Sequence, residues 1–166
     1  VTVEESKPPD NCKTLSNKIR HYRTFRKRNM GIKVTPADTA FSKCVKERAD
    51  YTCQRCGKKY GEGHRGLHCS HGVGRGTWAT RFMGLNAICA CYGCHQLEGG
   101  NWMQRLLTES ERELINEFAN DYARGKAARK TKGKGEVAKH FREQFDLMRQ
   151  LRECGVTGRI EFEDFF

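Results

Sequence analysis

Apolar positions in this chain form short stripes at helical spacing, separated by glycine- and lysine-rich stretches, and the period is lost in one central region. Phe41, Cys44, Val45 and Ala49 share a stripe and predict a helix over about residues 37–49, entered through the turn Thr35-Pro36-Ala37-Asp38. Leu114, Ile115, Phe118 and Tyr122 repeat at the same spacing behind Thr108-Glu109-Ser110-Glu111, a capping box with Thr108 as N-cap and Glu111 at N3. Val137, Phe141, Phe145, Met148 and Leu151 predict a last helix over about 136–153, with Gly155 suited to its C-terminus. Near the start, Ser16 can cap a helix running to about Met30 and stopped by Gly31. Between residues 51 and 100 the pattern is glycine punctuation: short strands fit around 66–71 and 78–82, and a helix follows Cys91 until Gly99-Gly100. The end, IEFEDFF, reads as a terminal strand in preference to a hook for a partner protein. The elements add up to an α+β, mostly helical chain without internal repeats. A basic arm (1–36) precedes a cysteine-rich core (37–107) and a helical extension (108–166) containing a basic linker, 124–134.

Charge changes this picture. The 166 residues carry a formal net charge of +11, with 31% charged and 37% hydrophobic positions. So polar a chain has little apolar material for a large core, and its sign points to a polyanionic partner. Residues 13–33 hold eight Lys/Arg and no acid, with Tyr22 and Phe25 among Arg20, Arg23, Arg26, Lys27 and Arg28. Residues 124–134 hold six, including Arg129 and Lys130, again without an acid. Such clusters are either solvated faces or grips on a phosphate backbone. No apolar run approaches the ~20 residues of a membrane span, and no signal-peptide core is present. A cytoplasmic protein without membrane contact is the expectation.

Nine cysteines, an odd number, argue against a secreted disulfide scaffold. Four form two C-x-x-C pairs, Cys53/Cys56 and Cys91/Cys94. This spacing turns two thiolates back onto one ion, and Gly57 tolerates the left-handed backbone of such a turn. A four-sulfur Zn²⁺ site is closed to substrate, so this metal is expected to brace the fold.

His95 follows Cys94 directly, His71 lies upstream in Leu67-His68-Cys69-Ser70-His71-Gly72, and Asn86 stands fifteen residues after His71 and nine before His95. This His–Asn–His order, braided with the cysteine pairs over about residues 50–100, resembles the HNH (ββα-metal) endonucleases. Within that family the nearest likeness is to phage recombination nucleases of the NinG type, through His71-Gly-Val-Gly-Arg75, Arg81 to Asn86 and the terminal C-x-x-C. The resemblance implies a treble-clef-like ββα-metal zinc module and a phage DNA replication, recombination or processing role. It implies His71 as general base, His95 as ligand of a catalytic Mg²⁺ or Mn²⁺, and Asn86 as fastener of the histidine loop. Where many members place Asp or His as a second cation ligand, this chain has Ser70, so the expectation is His68 or a water as substitute, or a loosely seated cation. Arg75 and Arg81 are candidates for clamping phosphate oxygens. Two rival readings are a non-catalytic zinc module that binds nucleic acid and a protein-interaction adaptor using the C-terminal tail.

Overall fold

In a computed structural model the structure describes residues 32–98, 100–131 and 135–165. The chain divides into two compact units, Val1–Lys33 and Val34–Phe166, and everything below concerns the second. The expected Ser16–Met30 helix, with Arg20, Arg23, Arg26, Lys27 and Arg28, lies outside the described residues. The architecture is α+β, about half helical, with a two-stranded antiparallel sheet.

Helix α1 (Pro36–Arg48) begins in a capping box: the Thr35 hydroxyl accepts from the Asp38 N–H, and the Asp38 carboxylate accepts from the Thr35 N–H. Its stripe of Phe41, Cys44 and Val45 is wholly buried against α6 (Glu136–Glu153), which contributes Val137, Ala138, Phe141 and Met148. The Phe41 and Phe141 rings meet edge-on at 5.1 Å, and the Cys44 thiol donates to the Phe141 carbonyl over 3.0 Å. Each buried phenyl contributes roughly 1.5–3 kcal/mol, which makes this helix pair the principal support of the unit. Leu151, at the far end of the α6 stripe, is exposed.

Strands β1 (Leu67–His71) and β2 (Ala87–Cys91) pair in a register running from Leu67↔Cys91 to His71↔Ala87. The two faces of the hairpin serve different cores. Leu67, Ala87 and Cys89 join the core of α1 and α6, whereas Ile88 and Ala90 join a smaller one with Cys53, Cys94 and Trp102. β2 runs straight into α2 (Tyr92–Glu98), followed by α3 (Met103–Leu106), α4 (Glu109–Asn120) and α5 (Tyr122–Thr131). α4 starts at the expected Thr108/Glu111 capping box.

Three expectations are corrected. The strand expected at 78–82 does not form. Those residues stay in a loop because their polar groups are engaged elsewhere, and the apolar run Ala87–Cys91 pairs with β1 instead. The segment 124–134, expected as a linker, is helical through Thr131; its alanines outweigh its charge repulsion. The terminal strand is absent among the described residues: Ile160 is buried, Phe162 and Phe165 pack on the main core, and the Asp164 carboxylate accepts from the Gly84 N–H at 2.6 Å. A partner binding this tail would have to displace those contacts.

Candidate active site and metal centre

The first cysteine pair sits in a knuckle. The Cys53 N–H donates to Lys58 O and the Gly57 N–H to Cys53 O, with Gly57 in the left-handed region at φ 72°. Gln54 ties the knuckle to β2 twice: its N–H donates to Cys89 O, and its side-chain oxygen accepts from the Cys89 N–H at 2.9 Å. Cys91 ends β2 and Cys94 lies in the first turn of α2, so both pairs converge. The four Sγ atoms lie within 4.8 Å of one another, with Cys56 and Cys91 at 4.0 Å. A tetrahedral ion with Zn–S bonds of about 2.3 Å needs sulfurs about 3.8 Å apart, so the set fits a structural metal such as zinc. Its charge pattern asks for a cation. The Cys94 backbone N–H leads the interactions that lower the Cys91 thiol to about 6, while burial and the neighbouring sulfurs push Cys94 up to about 12. Four thiolates in this volume repel one another until a cation compensates them.

β1 and α2 carry the histidines. His71 ends β1, and its Nε2–H donates to the Arg81 carbonyl at 3.1 Å, which leaves Nδ1 as the unprotonated nitrogen. Burial, opposed by that hydrogen bond, lowers its pKa to about 4, so the ring is neutral at physiological pH. On the opposite face of β1, Ser70 Oγ lies 3.0 Å from Nδ1 of His95, and the His68 ring stacks on that of His95 at 5.5 Å with 16° between planes. His68, His71, His95 and Arg75 line one cavity of about 760 Å³. His64, by contrast, is exposed and packs on Tyr60.

Asn86 is fully buried and holds the loop after His71 from two sides. Its Oδ1 accepts from the Val73 N–H at 2.7 Å, and its Nδ2 donates to Val73 O at 2.9 Å and Thr80 O at 3.0 Å. Gly72 completes the fixation by close approach: a Cβ there would lie 2.0 Å from Met103 Sδ. Replacing Asn86 by Ala leaves the buried Thr80 carbonyl and the half-buried Val73 N–H and carbonyl without this partner and should cost about 1–3 kcal/mol. Thermal melting of N86A will check this; a Tm equal to wild type would show that the loop is held by other means.

Arg81 is corrected. Instead of facing a phosphate, it is 1% exposed and forks onto Asp38, Nε to Oδ1 at 2.8 Å and Nη2 to Oδ2 at 2.7 Å, with Trp78 at 4.2 Å from its guanidinium carbon. A guanidinium so desolvated and bidentately paired is spent on structure. Arg129 and Lys130 lie exposed on α5.

Sequence reasoning missed Lys43 and Lys46 of α1, which also line the histidine cavity. They stand opposite the apolar stripe of α1, and no local signal tells which cavity that face borders. Comparison of the chain with protein-family models, curated proteins and solved structures finds no match. Among the described residues no helix is long and apolar enough to cross a membrane.

Proposed function

We propose that this chain is a metal-dependent endonuclease of the HNH type, hydrolysing DNA phosphodiester bonds, with β1, β2 and α2 as a treble-clef-like ββα-metal module on a structural zinc. The observation that carries this reading is His71: a neutral imidazole, oriented by the Arg81 carbonyl, lining one cavity with His95 and cationic side chains. Phosphodiester hydrolysis needs a base for water, positive charge for the phosphoryl oxygens and help for the leaving oxygen. Nδ1 of His71 takes the proton from the attacking water. Arg75 and Lys46 supply positive charge along the cavity wall. Asn86 keeps the loop bearing Arg75 in place without touching substrate. His95, with His68 or water, would hold a Mg²⁺ or Mn²⁺ ion, which when bound would supply Lewis-acid stabilisation to the phosphate and the leaving 3′ oxygen. Ser70 orients the His95 ring through its Nδ1. Products with 5′ phosphate and 3′ hydroxyl, and a phage replication, recombination or processing role, belong to the family resemblance. The exposed Arg129 and Lys130, with the basic arm, extend the grip along the backbone and predict steep salt dependence.

Nicking of supercoiled plasmid with and without Mg²⁺ or Mn²⁺ tests the proposal. Wild type should nick only with the divalent ion, and His71→Ala should lower the rate by about 10²–10⁴-fold. Because His71 sits well below the ordinary histidine pKa, the acid limb of the wild-type rate should fall below pH 6.5. Equal nicking by both proteins overturns the assignment. Retained DNA binding with no wild-type nicking leaves a non-catalytic zinc module.

A further inference from the structure

A second cavity lies beside the first, on the other half of the same loop. Its volume is about 350 Å³, and its walls come from Gly76–Ala79 of the loop, the end of α4 and the start of α5. Three features set it apart. Tyr122, 82% exposed, lines it from the start of α5 and offers a ring that is open to a ligand. Trp78 lines the wall and carries the Arg81 guanidinium 4.2 Å from its ring centre, so the indole is clamped in a fixed orientation. Lys126 and Arg129 flank it from α5, exposed and without an ion pair among the described residues. The one carboxylate at the rim, Asp121, accepts from the Arg124 N–H at 2.9 Å.

Flat aromatic surface with adjacent cations is the chemistry that receives a nucleobase and its phosphate. The volume is enough for a single base stacked against the ring walls. Position supplies the second argument. Arg75 lines the histidine cavity and Gly76, the next residue, lines this one. One strand crossing the loop at that point therefore reaches both. We propose that this cavity binds an unpaired nucleobase of the substrate strand, stacked on Tyr122 and Trp78, so that DNA with unpaired nucleotides next to the scissile phosphate is the preferred substrate. The inference rests on the nuclease reading for its substrate, but its test does not depend on cleavage.

The full chain is titrated, without divalent ions, against a single-stranded oligonucleotide bearing 2-aminopurine and against the same sequence as a blunt duplex. Wild type should bind the single strand more tightly and quench the 2-aminopurine by stacking. Tyr122→Ala, at an exposed position whose loss leaves the core intact, should weaken single-strand binding on the order of tenfold and leave duplex binding within about twofold. Gly125→Leu, which fills the cavity from α5, should do the same; a Cβ at this glycine meets only Ala79, its Cβ at 3.7 Å and its backbone N at 3.9 Å, both ordinary contacts. Equal affinity for both DNA forms, or variants that weaken both alike, overturns the proposal. Plasmid nicking decides the nuclease reading separately: selective single-strand binding without nicking sinks that reading alone, and nicking without selectivity sinks this one alone.

Discussion

Stripping the metal from the cysteine cluster should unfold the central module. The smaller core that backs the hairpin consists of Cys53, Ile88, Ala90, Cys94 and Trp102, and two of these belong to the four-cysteine cluster that fits a metal. Without an ion, the knuckle is joined to the rest chiefly by the Gln54–Cys89 hydrogen bonds and the 3.3 Å contact from the Cys91 N–H to Cys53 Sγ. Structural zinc contributes about 10–16 kcal/mol of apparent binding free energy in small modules, more than the net stability of most domains. The purified protein should therefore contain one zinc per chain by elemental analysis. Excess chelator should lower the thermal midpoint sharply, and Cys91→Ala should reproduce that loss without chelator. An unchanged melting curve in chelator would remove the metal from any structural role. His95 directly follows Cys94, so activity should disappear in parallel with the fold.

The second large effect is expected at Arg81. Arg81→Ala leaves the Asp38 carboxylate buried and unpaired, at a cost of about 3–5 kcal/mol. Asp38→Ala strands the guanidinium and should cost a comparable amount, plus the loss of the Thr35 capping box. Denaturant unfolding of the single and double variants checks this. The double variant should be less destabilised than the sum of the singles, because each single change strands a charge that the double change removes. Additive losses would mean that the pair is not coupled. Acid should attack the pair only at low pH: the carboxyl, pushed up by burial but held down more strongly by Arg81 and Thr35, lies below its ordinary value. The stability it contributes is present above that ordinary value and is lost as pH falls through the folded one. Arg81 also supplies the carbonyl that orients His71. Arg81→Ala, at a position 1% exposed, should therefore still lower nicking, through displacement of the loop and of His71 rather than through a lost DNA contact.

The readings that held depended on patterns spanning one or two turns of chain. The α1 and α6 stripes, the Thr108 capping box and the two C-x-x-C pairs all have their partners at fixed short separations, where helix period and tetrahedral sulfur geometry act directly. Misreadings arose where partners are distant. Residues 78–82 look like a strand until Asn86 Nδ2 and His71 Nε2 take the Thr80 and Arg81 carbonyls out of any ladder. Arg81 looks like a phosphate clamp because charge in a sequence is read as exposed, whereas its partner lies 43 residues away on α1. The basic stretch at 124–134 looks like a linker because its charges mask good helix formers.

By itself, then, the chain's order of residues determined two C-x-x-C pairs able to share a metal ion, two amphipathic helices able to face each other, and a His–Asn–His spacing. Only the tertiary structure decided that His71 and His95 border one cavity, that Lys43 and Lys46 face it from α1, that Arg81 is buried, and that Tyr122 and Trp78 share a second cavity across the loop. The physical reason is desolvation: which charges and rings lose water depends on contacts between segments distant in sequence, and no local period encodes them.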